Sequence, residues 1–326
     1  MRDFTVLVMP GAFASSVAAT LDMLDAAARL APRLQHAPPR WRVVSPGGGR
    51  IALRGGLMLE TARMTRRPRR DRSVWVIPGL GEEDPEALIR RLDADDARAA
   101  ARAIRCHVAQ HGEVAAACSA VYLLHAATVL DHRRVTTSWW LASTLQQRAT
   151  SCTVDADRMV CVDGPICTAG AAFAQSDLML HLLRTRFGTP LADAVGKVLL
   201  IDARQAQAPY AIPSLLASGN ALVRRLTERI ETGLPALPSM AQLAREQAMS
   251  VRTLSRHVRA ATGKAPLALV QSIRLSRARH LIETSRLSID AIAAQVGYED
   301  ATALRRLMRK AAGASPRQFR CALHRE

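Results

Sequence analysis

Apolar residues in the first part of the chain come in short, nearly continuous runs, and most of these runs stop at proline or glycine. Phe4–Met9 (FTVLVM) ends in Pro10-Gly11, Trp41–Ser45 (WRVVS) in Pro46-Gly47-Gly48-Gly49, and Ser73–Ile77 (SVWVI) in Pro78-Gly79. Glu113–Ala117 (EVAAA) leads straight into Cys118. Runs of this kind suit parallel strands buried on both faces. Between them the spacing turns helical. Ser15–Leu30 puts Val17, Leu21, Leu24 and Ala28 on one face, and the acidic stretch Gly81–Glu86 suits the start of a helix over Pro85–Arg98. A further helix runs to about Gln110. Ile51–Leu53 and Gly56–Leu59 predict a small hairpin, and Asp163-Gly164 predicts another between Arg158–Val162 and Pro165–Thr168. Thr168-Ala169-Gly170 then opens a helix reaching Arg184, and Leu191–Asp202 forms one more. Alternating strands and helices predict a doubly wound α/β layer, flavodoxin-like, over residues 1–200.

Pro209, Pro213 and Ser214 mark a linker over 201–219, after which the pattern is helical throughout. Asn220–Glu231 turns Leu222, Leu226 and Ile230 inward. Two helix–turn–helix patterns follow, at about 239–262 and 288–313, each opened by an N-cap serine, Ser239 and Ser288. In the first, Val251, Leu254, Val258 and Ala261 form the expected buried stripe, which turns Arg252, Thr253, Arg256 and Arg259 outward. In the second, Ile289, Ile292 and Val296 face inward, Gly297-Tyr298 makes the turn, and Leu304, Met308 and Ala311 are buried beneath Thr302, Arg305, Arg306 and Arg309. A long helix from Pro266 to about Thr284 joins the two. Gly313 ends the second pattern and Pro316 opens a last short helix. Residues 220–322 thus predict an all-α domain.

Charge sharpens this division. The chain of 326 residues carries a formal net charge of +17. Residues 239–326 hold 16 basic against 6 acidic residues, and residues 1–238 hold 29 against 22. The excess is concentrated on the helix–turn–helix segment, which favours nucleic acid over an anionic membrane as partner. The basic run Arg63–Arg72 reads as a solvated loop. The six cysteines show no C-x-x-C pair and no histidine at zinc spacing, so free thiols in a reducing compartment are expected and no metal or cofactor is implied. Gly47–Gly49 lacks the spacing of a phosphate loop. Asp3 and Pro10-Gly11 argue against a signal peptide, and no run approaches the length of a membrane span. A soluble cytoplasmic protein is the expectation.

The one stretch with candidate chemistry is Gly112–Trp140. A strand, Cys118-Ser119-Ala120 and an apolar helix (VYLLHAATVL) have the layout of a nucleophile elbow, in which the helix macrodipole lowers a thiol's pKa. Here VLVMPG near the start, VIPGLG at Val76–Gly81, AAACSAVYLLHAATVLDHRRVTTSWW at Ala115–Trp140 and DADRMVCVDGPICTAGAAFAQSDLMLHLL at Asp155–Leu183 resemble the PfpI-type domain of the class I glutamine amidotransferase-like superfamily. The version resembled is the one fused to AraC-type regulators of the GlxA-like subgroup. In enzymes of that superfamily the elbow cysteine works with an acidic residue on the first helix and a histidine. Cys118 matches the cysteine and Asp22 falls near the acidic position, but Ser119 stands where the enzymes carry histidine. Ser16 and Ser138 replace the aspartate and histidine usual in the regulators, and Ala120 replaces a glycine. A thiol without a base is a poor nucleophile, and His125 and His181, on apolar helical stretches, read as core residues. The resemblance therefore implies a catalytically silent domain with a retained pocket, for which Asp22, Cys118, Ser119, Thr168 and Gly170 are the candidate contacts. The changes at Ser16 and Ser138 fit a remodelled pocket or the loss of sensing. A cysteine hydrolase or amidase and a purely structural module are the alternatives.

Arg204–Tyr210 matches the family's linker motif, with Ala206 in place of its glycine. The segment IAAQVGYED…LRRLMRKAAGASPRQFR resembles the AraC/XylS DNA-binding domain over essentially its whole length, with Met308 where an aromatic residue is usual. The resemblance implies a transcriptional regulator acting on double-stranded promoter DNA, with Arg252, Ser255, Arg256, Thr302, Arg305 and Arg306 as candidate DNA contacts. A homodimer, a small-molecule effector and a contact with RNA polymerase are further expectations from the same resemblance.

Overall fold

The computed structural model describes residues 2–65, 71–201, 207, 221–262 and 265–312. The chain divides into two compact units, Met1–Arg204 and Gln205–Glu326. The centre of the basic run Arg63–Arg72, nearly all of the expected linker with its Arg204–Tyr210 motif, Gly263, Gly313, the helix expected from Pro316 and Cys321 lie outside the described residues.

The first unit is built on β1 (Phe4–Leu7), β2 (Trp41–Ser45), β3 (Gly49–Ala52), β4 (Met58–Arg63), β5 (Val74–Ile77), β6 (Val114–Ala117), β9 (Val160–Asp163) and β10 (Ile166–Ala169). They form one sheet in the order β3-β4-β2-β1-β5-β6-β10-β9, while β7 (Arg134–Val135) and β8 (Thr153–Val154) pair separately. The inner strands run parallel, and β3 and β9 are antiparallel edges. Two-sided burial is visible residue by residue. Phe4, Val6, Val74, Val76, Ala115 and Ala117 join one core with α1 (Ala14–Leu30), α6 (Ala174–Phe187) and α7 (Thr189–Val198). Their alternating neighbours Leu7, Trp75, Ile77, Val114 and Ala116 join the other, with α2 (Pro85–Leu92), α3 (Asp95–Ala109), α4 (Val121–Ala126) and α5 (Ala142–Arg148). Period-2 side chains on strands covered on both faces, as β1, β5 and β6 are, require this arrangement.

Several boundaries differ from the expectation. The helix expected over Pro85–Arg98 breaks after Leu92, and a new one starts at Asp95, its first turn carrying Asp95 and Asp96. The apolar helix after the elbow stops at Ala126, because Thr128 turns left-handed at φ 57°. The last helix of the unit ends at Val198 rather than Asp202. On α1 the buried face is Ser16, Val17, Thr20, Met23, Leu24 and Ala27, which leaves Leu21 and Ala28 half-buried.

The second unit comprises α8 (Ala221–Gly233), α9 (Met240–Glu246), α10 (Val251–Thr262), α11 (Pro266–Thr284), α12 (Ile289–Gln295) and α13 (Ala301–Ala312). Each helix of the two helix–turn–helix pairs begins on a side-chain cap. Ser239 Oγ accepts from Gln242 N at 3.2 Å and Ser288 Oγ from Ala291 N at 3.1 Å. Ser250 Oγ accepts from Thr253 N at 3.1 Å and Asp300 Oδ1 from Ala303 N at 2.7 Å. Such caps contribute about 1 kcal/mol each to helices this short. The buried stripe of α10 is Leu254, Val258 and Thr262, whose hydroxyl bonds back to Val258 O. Val251, expected inside, is 44% exposed, because it is the first helical residue and projects beyond the packed face. Ala301, Leu304 and Met308 are buried on α13 as a flexible apolar filler allows.

Among the described residues no helix is long and apolar enough to cross a membrane.

A buried histidine gives the first unit a pH signature. His107 on α3 stacks on Trp75 with ring centroids 4.6 Å apart, and its Nε2 faces Glu113 O at 3.2 Å. Burial pushes its pKa below the ordinary value, partly offset by the Glu113 and Ser73 carbonyls and the Asp71 carboxylate. Burial lowers His125 and His181 as well. A histidine with a depressed folded pKa binds fewer protons folded than unfolded. Its contribution is therefore complete above the unfolded value of about 6.5 and is lost as pH falls below it. The melting temperature is expected to decline as pH drops from 7 to 5, and His107→Gln to flatten that slope. Thermal unfolding followed by circular dichroism across this range checks it; equal slopes in both proteins would remove His107 from the account.

Candidate ligand site and nucleic-acid interface

The elbow forms where β6 ends beside β5. Cys118 occupies the left-handed region at φ 57°, a conformation that costs a non-glycine residue roughly 1–3 kcal/mol and persists only when its surroundings enforce it. The enforcing contacts are explicit. Cys118 N donates to Gly170 O at 2.7 Å, and Thr137 Oγ1 donates to Cys118 O at 2.8 Å. Ser119 Oγ accepts from Leu80 N at 3.0 Å, tying the elbow to the loop after β5. In that loop a Cβ on Gly79 would stand 3.2 Å from the Cys118 Cβ and 3.0 Å from the Phe13 ring, so glycine is what lets the backbone pass.

The thiol itself is wholly buried, and Ser138 Oγ donates to Sγ at 3.0 Å. Burial pushes the Cys118 pKa up. The hydrogen bonds from Ser138 and Ser119 pull it back in part, and the Glu83 carboxylate adds to the rise. This reverses the lowering expected from the helix macrodipole: the thiol leads into a 3-10 turn and a short helix inside a closed core, and desolvation outweighs a partial positive charge.

The candidate pocket residues divide. Cys118, Ser119 and Gly170 meet at the elbow. Thr168 lies two positions before Gly170, on β10, completely buried, with its Oγ1 accepting from Thr136 N at 2.9 Å. It therefore holds the segment that delivers Thr137 and Ser138 to Cys118. Asp22 is exposed on α1, because it falls off the face that packs on the sheet, and it is not among the residues that gather at the thiol. From α1, Ser16 Oγ donates to Ala172 O at 3.0 Å, two residues after Gly170. Sequence reasoning missed Phe13, Arg54 and Glu83. Arg54 lies over the Phe13 ring at 5.2 Å, donates to Gly81 O at 2.5 Å and approaches Glu83 at 3.7 Å. The Pro-Gly strand ends marked this rim; nothing in the local sequence pointed to Arg54. Among the described residues no cluster of metal-ligating side chains occurs.

In the second unit the predicted contacts lie on two helix faces. Arg252 and Arg256 are exposed and Ser255 half-buried on α10, while Thr302, Arg305 and Arg306 are exposed on α13. Thr302, Arg305, Arg306 and Arg309 line a shallow groove of about 440 Å³. Between the two faces runs α11, 19 residues long and so about 28 Å.

The buried thiol yields a chemical expectation. Alkylation of native protein at pH 8 should modify exposed Cys106 at least about tenfold faster than Cys118, since only thiolate reacts and burial disfavours it. Ser138→Ala removes a donor to sulfur and should slow Cys118 further. Peptide mass spectrometry after timed quenching measures both; a Cys118 that reacts first would overturn the assignment.

Comparison with known proteins agrees with this division. The DJ-1/PfpI family model matches residues 24–185, and a helix–turn–helix domain model matches residues 243–322. The HTH-type transcriptional regulator GlxA of Rhizobium meliloti is 29% identical over 294 residues, covering 87% of this chain and 84% of that protein. The HTH-type transcriptional regulator CdhR of Pseudomonas aeruginosa is 25% identical over 331 residues, covering 99% and 92%. Among solved structures, a THiJ/PfpI family protein of Pseudomonas syringae superposes with a TM-score of 0.50 at 16% identity, covering 83% of this chain and 91% of that one. A candidate transcriptional regulator of Vibrio parahaemolyticus superposes at 0.51 and 17% identity, covering 61% of this chain and all of that one. These structures share the fold of the α/β unit. The chain belongs to the proteins that join a DJ-1/PfpI domain to an AraC-type helix–turn–helix domain.

Proposed function

We propose that the protein is a sequence-specific DNA-binding transcriptional regulator of the cytoplasm, with a catalytically silent DJ-1/PfpI domain over 1–200 joined through 201–219 to a DNA-binding domain over 220–322. The observation that carries this reading is the pair of capped helices, α10 and α13, each presenting arginines outward from a well-buried apolar stripe. A recognition helix offers such side chains to base edges in the major groove. Successive major grooves on one DNA face lie about 34 Å apart, a distance that a connector of about 28 Å plus side-chain reach can bridge. Arg252, Ser255, Arg256, Thr302, Arg305 and Arg306 are the proposed contacts. Two relatives that span nearly the whole chain carry the name of HTH-type transcriptional regulator, which supports the reading.

The α/β domain is the proposed input, sensing a small molecule or pairing two copies. Its silence is supported by the buried, protonated Cys118 thiol, whose neighbour Ser138 is a hydroxyl with no basicity. One observation favours a second reading, a cysteine hydrolase: the strained left-handed backbone of Cys118 is retained. Cys118-dependent turnover of model esters or amides, absent from Cys118→Ala, would establish it; equal background rates in both proteins are expected.

Two outcomes test the main reading. Arg256→Ala and Arg306→Ala should each weaken binding to duplexes selected by the wild-type protein from random-sequence DNA by about 1–3 kcal/mol, measured by fluorescence anisotropy at physiological salt. Wild-type affinity in both variants would refute the assignment of α10 and α13. A metabolite that occupies the input domain should raise its melting temperature and shift operator affinity together; a panel in which neither moves leaves only the pairing role.

A further inference from the structure

Arginine has a second use in the DNA-binding unit, one that the reading above does not include. The turn of the first helix–turn–helix is braced from outside the motif by α8. Arg229 makes two hydrogen bonds to the Glu246 carboxylate, at 3.0 and 3.1 Å, and Arg225 Nε donates to Gln247 Oε1 at 3.1 Å. The turn of the second motif is braced by one side chain, Arg274, from the middle of the connector α11. Its Nη2 donates to Gly297 O, and its guanidinium lies over the Tyr298 ring at 4.5 Å from the centroid.

Two further observations show how closely this contact is built. Both turns place one residue in the left-handed region: Ala248 at φ 53° in the first and Gly297 at φ 80° in the second. Alanine therefore suffices where only the dihedral matters. At 297 a Cβ would stand 2.5 Å from Arg274 Nη2 and 2.5 Å from Pro235 O, so glycine answers to the approach of the brace as well as to the dihedral. The Tyr298 hydroxyl, moreover, is buried and finds no hydrogen-bond partner among the described residues. The ring is held for its face, as a cation–π surface, and not for its oxygen.

We infer that Arg274 is a positioning residue for DNA reading: through Gly297 and Tyr298 it fixes the second recognition helix, α13, on the connector, and so sets its register relative to α10. This rests on the DNA-binding function proposed above. Arg274 itself needs no contact with DNA. Half-buried between α11 and the turn, it acts on the groove only through the helix that the turn aims. Removing the brace leaves the apolar contacts of Ile292, Val296, Leu304 and Met308 with α11 in place, so the second motif stays folded while its aim loosens.

The experiment uses the full chain and duplexes enriched from a random-sequence pool. Wild type should enrich a two-part motif, and Arg306→Ala identifies the half read by α13 by relaxing it. Arg274→Ala should relax that same half: single-base substitutions there, which cost wild type roughly ten- to a hundredfold, should cost the variant about threefold or less, while the α10 half keeps its full penalties. Loss of folded protein would instead scale both halves alike. Arg274→Lys, which keeps the cation over the ring, should recover part of the discrimination. Should Arg274→Ala fail to fold, Tyr298→Leu decides, with the same one-sided loss expected. Tyr298→Phe should match wild type. Equal discrimination at both halves in Arg274→Ala or Tyr298→Leu, or a loss in Tyr298→Phe, would overturn the positioning role. No enriched motif with the wild-type chain would instead remove the DNA-binding reading itself.

Discussion

A parallel sheet covered on both faces leaves only its strand ends free for function. In this chain the constraint is complete: alternate residues of β1, β5 and β6 enter opposite cores, and none of those strands has a solvent face. The direction of winding reverses between β1 and β5, and the residues that gather at the elbow come from the carboxyl ends there: Phe13 after β1, Gly79 and Leu80 after β5, Cys118 after β6 and Gly170 after β10. The topology delivers four backbones to one place. What differs among proteins built this way is the side chains that fill the gap, and here the fill is serine and threonine hydroxyls around a neutral thiol.

That filling decides the chemistry. A left-handed cysteine at a strand–helix turn is the geometry of a nucleophile, and the backbone strain has been kept. Protonation follows a different term. With the thiol closed off from water, the cost of an isolated buried anion exceeds what two hydroxyl donors and a short helix return. Geometry and electrostatics thus part company within one residue, which is why an elbow alone does not identify an enzyme.

How much of this was legible in the sequence follows from the range over which each feature is determined. Strand runs, helix periodicity and the serine caps are local, and Ser239, Ser288 and the β1, β5 and β6 runs appear where the pattern put them. The hairpin at Asp163-Gly164 is equally local. The state of Cys118 is not: its donor Ser138 is 20 residues away, and the amide that ties down Ser119 is 39 residues from it. Asp22 illustrates the same limit from the other side, since a position near a motif's acidic residue says little when a shift of one residue on a helix turns the side chain about 100° away from the site. Val251 fell outside its stripe because periodicity does not see where a helix leaves the core.

The arginines show the limit most plainly, because sequence alone gives them all one meaning. Arg225, Arg229 and Arg274 read no differently from Arg256 or Arg306 as letters in a basic segment. The first three turn towards the motifs and hold their turns, whereas the last two turn away from them. A basic composition therefore overstates the number of charges available to phosphate, and part of the excess is structural. The distinction leaves one trace in the sequence, and it is a neighbour's: glycine at 297, where the corresponding turn of the first motif tolerates Ala248. A glycine at a left-handed φ of 80°, where a Cβ would also meet Arg274 Nη2 and the Pro235 carbonyl, signals a side chain arriving from elsewhere as well as a dihedral. In this unit that side chain is the one that joins the second recognition helix to its connector.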